Sequence, residues 1–277
     1  MTAHSQRRVH RLVVDGVDLA VEETGRGPPV LFIHGFPLDR TIWRHQLDHL
    51  GAYRCIAPDL RGMGASASPE EGYTIAQYAT DLVRVLDQLG VVRAGVCGLS
   101  MGGYIALEFA RRFRDRVASM VLMDTRAEAD SPAAAEARIA MAQRARSEGL
   151  SVVVEEMLPK LLAPESLARN DLVVAPVRQM MRATPLAGFL GALQAMRDRA
   201  DYRGSLAALG PTSTMVVVGA QDAITPPALA RTMAAAIPGA KLVEVPGAGH
   251  LVPMEQPETT THLLREFWRS VKPSEWE

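Results

Sequence analysis

Ser100 sits inside a glycine frame, Gly98-Leu99-Ser100-Met101-Gly102, between two stretches that demand different secondary structure. Val91 to Cys97 is an apolar, strand-like run, and Gly103 to Arg112 is compatible with a helix. A chain passing from strand to helix through so few residues must turn sharply. Small residues two before and two after the serine let strand and helix crowd around that turn. The turn holds the hydroxyl away from the sheet and sets the amide at the head of the helix where it can stabilise an oxyanion. A serine hydroxyl is a poor nucleophile unless the backbone aims it at a base, so this pentapeptide constrains fold and chemistry together.

The rest of the chain repeats the strand–helix alternation. Arg11 to Glu22 reads as two short strands around Asp15-Gly16, a favourable hairpin turn. Further strands are predicted at Pro28–His34, Tyr53–Ala57, Val117–Met123, Thr214–Val218 and Lys241–Val245. Helices are predicted from the capping box Thr74-Ile-Ala-Gln77 onward, at Pro227–Ala236 and at Thr259–Val271. Most of these strands are apolar throughout, as expected when helices cover both faces of a sheet. The pattern predicts an α/β fold: a mostly parallel sheet flanked by helices and opened by an antiparallel hairpin. In such sheets chemistry gathers beyond the carboxyl ends of the strands. His34, Asp59, Ser100, Asp124, Asp222 and His250 all fall at or just after predicted strand ends.

Between Ala127 and Leu206 the strands stop. Helices are predicted at Ala133–Ser147, Leu150–Leu162, Glu165–Thr184 and Leu186–Arg199, separated by Gly149, Pro164 and Pro185. Inserted after the sixth strand, such a segment lies over the carboxyl end of the sheet and shapes a pocket. The expected organisation is a core of residues 1–126 and 207–277 interrupted by a helical cap, 127–206. At 277 residues the chain can bury one large core plus a modest insertion. A net charge of −1 gives no electrostatic case for nucleic acid or an anionic membrane surface. No apolar stretch approaches membrane-spanning length, and Met1 to Arg11 lacks the apolar core of a signal peptide. Cys55 and Cys97, both in predicted strands, read as core thiols. A cytoplasmic monomer or homodimer, with neither nucleic acid nor membrane as partner, is expected.

Ser100 needs a general base, and the base needs an acceptor that fixes its tautomer. Among seven histidines the best placed is His250, in the glycine-rich loop Pro246-Gly-Ala-Gly-His-Leu-Val-Pro253 after a predicted strand. Asp222, in Gly219-Ala-Gln-Asp-Ala-Ile-Thr-Pro226, is assigned as the acid, although it could instead cap the helix that follows. Asp124 competes for that role, its alternative being to anchor the start of the insert through local hydrogen bonds. The oxyanion donors are assigned to the backbone N–H groups of Met101 and Phe36, with His34 making a structural hydrogen bond beside them. Phe36, Met101, Met157, Met181, Phe189 and Leu251 are the predicted pocket residues. Arg178, Arg182, Arg197 and Arg199 could contact a carboxylate but read as solvated. In Asp59-Leu-Arg-Gly-Met-Gly-Ala-Ser66 a local Asp59–Arg61 ion pair is expected to brace the loop. The Walker pattern fails there for want of a Lys-Ser or Lys-Thr, and no His-x-x-x-His or Cys–His cluster occurs, so neither cofactor nor metal is expected.

With these motifs placed, residues 10 to 271 resemble the α/β-hydrolase superfamily. His34-Gly-Phe-Pro37 resembles its oxyanion turn, Gly98-Leu-Ser-Met-Gly102 its nucleophile elbow, Asp222 its usual acid position and Gly249-His250 its histidine loop. Within the superfamily, His34-Gly-Phe-Pro-Leu-Asp39 followed by Trp43 is similar to small carboxylesterases, cofactor-free haloperoxidases or perhydrolases, and enol-lactonases. The resemblance implies hydrolysis of a small ester or lactone, without haem, metal or flavin. Haloalkane dehalogenases and epoxide hydrolases normally carry aspartate at the nucleophile position, where this chain has Ser100.

Overall fold

Successive side chains of a strand point to opposite faces, so a strand that is apolar throughout feeds two cores at once. Leu31 and Ile33 belong to one core and Val30 and Phe32 to the other; Val216 and Val218 divide from Met215 and Val217 in the same way. The computed structural model describes residues 7–168, 170–210 and 212–276. Most of the basic N-terminal stretch therefore lies outside the described residues.

Eight strands form one sheet: β1 (Arg8–Val14), β2 (Val17–Thr24), β3 (Pro29–Ile33), β4 (Arg54–Pro58), β5 (Ala94–Leu99), β6 (Val117–Met123), β7 (Ser213–Gly219) and β8 (Lys241–Val245). Their order is β1-β2-β4-β3-β5-β6-β7-β8. The β1–β2 hairpin turns at Asp15 and Gly16, both at positive φ, and β2 meets β4 antiparallel; all later pairings are parallel. After β3 the chain adds β4 on one side, then crosses back to add β5 on the other. Connections leaving β3 and β5 diverge, so a crevice opens between their carboxyl ends. Ser100 and the His34–Pro37 turn lie there.

Helices α1 (Arg44–His49), α2 (Ile75–Gln88) and α3 (Met101–Arg112) accompany the first six strands. The insert between β6 and β7 holds α4 (Pro132–Ser147), α5 (Leu150–Leu161), α6 (Pro164–Leu167), α7 (Ala175–Ala183) and α8 (Leu186–Arg197). The last part adds α9 (Pro227–Ala236), α10 (Val252–Glu255) and α11 (Pro257–Ser270). Residues of α2, α3 and α9 complete one core; those of α1 and α11 complete the other. Thr74 caps α2 by accepting the Gln77 N–H at 2.9 Å. The Gln77 side chain bonds Asp81 instead of reaching back, so only half of the expected capping box forms.

Three expectations for the insert and the neighbouring loop need correction. The predicted helix Glu165–Thr184 is broken into α6, a π-helical turn at Asn170–Val174, and α7. Pro176, in the first turn of α7, lacks an N–H and crowds the carbonyl four residues back, so the backbone widens before it. Asp59 and Arg61 do not pair: Asp59 takes Arg40, and Arg61 makes a two-pronged bond to Asp81 at 2.5 and 2.7 Å. The third correction is Arg199, whose side chain is fully buried.

Arg199 bonds Asp130 Oδ1 at 2.6 Å, the Met196 carbonyl at 2.7 Å and the Glu128 carbonyl at 2.7 Å. It also lies over the Tyr104 ring, 4.2 Å from its centroid. One guanidinium thus staples the segments entering and leaving the insert to each other and to α3. Removing it leaves Asp130 buried with Arg138 as its remaining charge partner. Arg199→Met should lose about 3–5 kcal/mol of stability, read as a lowered urea midpoint. The other three arginines are also paired: Arg178 and Arg182 with Glu155, and Arg197 with Asp198.

Candidate active site

The backbone at Ser100 adopts φ +54° and ψ −114°, a conformation non-glycine residues rarely hold. It persists because the surroundings over-determine it. The Ser100 N–H bonds the Met123 carbonyl at 2.9 Å, while the Ser100 carbonyl accepts from Gly103 N–H and Thr125 Oγ1, each at 2.8 Å. A Cβ at Gly98 would stand 2.2 Å from the Gly102 carbonyl oxygen, and one at Gly102 would stand 2.2 Å from that of Ile33. Glycine at both positions is therefore a condition for β5, α3 and the end of β3 to meet.

From this turn the Ser100 Oγ lies 2.8 Å from His250 Nε2, and His250 Nδ1 lies 2.8 Å from Asp222 Oδ2. All three come from loops after β5, β7 and β8. Asp222 is locked in turn: Oδ1 accepts the N–H groups of Ile224 and Thr225, and Oδ2 accepts the Thr225 hydroxyl at 2.6 Å. It braces its own loop instead of capping α9, whose N-cap is Pro226. Burial opposes its charge, but His250 and Thr225 outweigh burial and hold the carboxyl below its ordinary range. The stability Asp222 contributes is therefore present above the ordinary carboxylate range and lost as pH falls through the lowered value.

Asp124 takes no part in that chain of bonds, and it does not anchor the insert locally. Held at φ +45°, it accepts the Gly219 N–H at 2.8 Å and the Val252 N–H at 3.3 Å, tying the end of β6 to the Asp222 and His250 loops. Burial, with the Asp222 charge nearby, pushes its carboxyl well above the usual range.

His34 makes the structural bonds expected of it. Its Nε2 accepts the Leu60 N–H at 3.0 Å and its Nδ1–H donates to the Gly35 carbonyl at 2.9 Å. Burial pushes its pKa down, consistent with a neutral ring that accepts on one side. The Gly35 carbonyl also accepts the Leu38 N–H, closing a turn against the serine: a Cβ on Gly35 would lie 3.3 Å from Ser100 Cβ. Among the described residues neither the Phe36 nor the Met101 N–H has a hydrogen-bond partner, Met101 being the first residue of α3. The Phe36 ring meets Phe189 of α8, centroids 4.7 Å apart, which joins this turn to the insert. Met101, Met181 and Leu251 are buried, and Met157 is half-buried against both cores.

Two features of the site escaped sequence reasoning. Thr225 was visible only as part of a cap signal. Glu255, the one carboxylate in the otherwise apolar run Leu251-Val-Pro-Met-Glu255, belongs to no motif the sequence marks, and it is fully buried beside the His250 loop.

Known proteins share this architecture. A thermophilic esterase from Thermogutta terrifontis, solved with malate bound, is 43% identical and superposes with a TM-score of 0.90, covering 96% of this chain and 99% of that one. The enol-lactonase from Burkholderia xenovorans LB400 is 28% identical, with a TM-score of 0.88 over 94% of this chain and all of its own. A 3-oxoadipate enol-lactonase of Acinetobacter baylyi is 28% identical over 86% of this chain and 87% of its own length. The family model for the alpha/beta hydrolase fold matches residues 28–257, a span from β3 to the first residue of α11. With its elbow, its sheet order and this match, the chain belongs to the α/β-hydrolase fold family.

Proposed function

We propose that the protein is a serine hydrolase that cleaves carboxylic ester bonds of small, largely apolar substrates through an acyl-enzyme. The observation that carries this reading is the pair of 2.8 Å hydrogen bonds running Ser100–His250–Asp222. Ser100 Oγ attacks the ester carbonyl while His250 Nε2 takes its proton, and Asp222 steadies the imidazolium. The Phe36 and Met101 amides donate to the oxyanion. Collapse of the tetrahedral adduct expels the alkoxide, which receives the proton from His250. Water, deprotonated by the same imidazole, then releases the acid and regenerates the hydroxyl. In this reading residues 127–206 act as a cap, with Phe36, Met101, Met157, Met181, Phe189 and Leu251 lining the acyl pocket.

Likeness to enol-lactonases supports a second reading in which the ester is cyclic. A panel of short-chain esters and lactones, run with and without peroxide, separates esterase, lactonase and acyl transfer to peroxide. A fluorophosphonate probe tests the whole class: stoichiometric labelling of Ser100 is expected, and a folded, unreactive protein would point to a ligand-binding role instead. Every proton in this scheme passes through His250, from Ser100 to the leaving alkoxide and then from water back to Ser100. Hydrolysis is therefore expected to survive EDTA unchanged; loss on chelation with recovery on adding zinc would overturn the scheme.

A further inference from the structure

Glu255 is the hub of a set of hydrogen bonds around His250 that no step of the proposed reaction uses. Its Oε1 accepts the N–H groups of Gly249 and Leu251, at 2.8 and 3.0 Å, the residues on either side of His250. Its Oε2 accepts the Ala163 N–H at 2.7 Å, from the residue that precedes α6 in the insert. The His250 N–H donates to the Leu161 carbonyl at 2.9 Å. Three consecutive amides of the histidine loop are thus held by Glu255 or by the insert. The fit is close: a Cβ on Gly249 would lie 2.6 Å from the Ala163 nitrogen.

An imidazole reaches its two partners through two torsions only, so a shift of the His250 main chain is passed directly to both 2.8 Å bonds. We propose that Glu255 is a positioning residue for the base. By binding the amides flanking His250 and the amide of Ala163 with one carboxylate, it holds the imidazole in register with Ser100 and makes that register depend on the seating of the insert. This rests on the reading of His250 as base given above.

Glu255→Gln is close to isosteric but has one acceptor oxygen, and its amide group donates. It can serve the Gly249 and Leu251 amides or the Ala163 amide, not both sides. Ala163→Pro approaches the same clamp from the insert. Its backbone, φ −64° and ψ 152°, suits proline, and the extended Leu162 suits the position before one. The substitution deletes the N–H and crowds Oε2, leaving the sequence of the histidine loop and Glu255 itself unchanged.

Turnover of a short-chain aryl ester is measured per serine titrated with the phosphonate, so that unfolded molecules do not count. Both variants are expected to lose about ten- to a hundredfold in kcat with KM nearly unchanged. The downfield proton resonance between His250 and Asp222 should shift or broaden in both. Parental kcat per titrated serine in either variant, even with a lower Tm, would reduce Glu255 to bracing and overturn the proposal. His250→Ala separates the two levels. Parental turnover in that variant would remove the base assignment itself; an inactive His250→Ala beside unaffected clamp variants would remove only the role of Glu255.

Discussion

Ser100→Ala should lower kcat for a short-chain activated ester by about a millionfold while leaving the protein folded. The hydroxyl's one hydrogen bond among the described residues is to His250 Nε2, so no other bond is broken. Alanine meets the same backbone strain at φ +54° that serine already meets, because both carry a Cβ. Stability by urea titration should therefore change little. The rate left over reflects binding and the oxyanion amides alone. A folded variant with turnover comparable to the parent would end the nucleophile assignment.

The second large effect separates the two buried aspartates. Asp222→Asn should keep its oxygen toward the Ile224 and Thr225 amides, where Oδ1 sits now. That places the new NH₂ against His250 Nδ1, where a donor now meets an acceptor. The ring must then carry its proton on Nε2, and in that tautomer it cannot receive the serine proton. A loss of about 10⁴-fold in kcat is expected. Asp124→Asn leaves the Ser100–His250–Asp222 bonds in place. Its cost falls on stability, about 1–3 kcal/mol, because one of the Gly219 and Val252 amides loses its acceptor. Kinetics and urea midpoints of the two variants side by side decide the matter; a greater loss of kcat at Asp124→Asn would reverse the assignment.

Much of the architecture was legible in the chain because its causes are local. Apolar runs bounded by Gly, Pro and Asp locate the strands, and β6 spans Val117–Met123 as expected. The glycine frame around Ser100 announces a strand-to-helix turn because only glycine admits the close approach of Gly98 to Gly102. Pro176 widens the helix that propensity alone predicts to be regular, through the π-helical turn that leads into α7.

Order along the chain is enough to pick out the strand-end polar residues, Ser100, Asp124, Asp222 and His250 among them. Which of them touch was decided by the sheet. The loop bearing His250 follows β8 and reaches across the carboxyl ends of β7, β6 and β5: its imidazole meets Asp222 and Ser100, while Asp124 at the end of β6 is taken up by the Gly219 and Val252 amides. Arg61 finds Asp81 of α2 instead of Asp59, and Arg199 is buried against Asp130 from the other end of the insert, both partners being distant in sequence. Glu255 shows it most fully: its carboxylate binds an insert residue 92 positions away as well as its own loop. Periodicity, capping and turn chemistry act over a few residues and can be read in order along a chain. Pairing of buried charges depends on which distant segments the fold brings side by side, and that adjacency exists only once the sheet, its helices and the insert have packed.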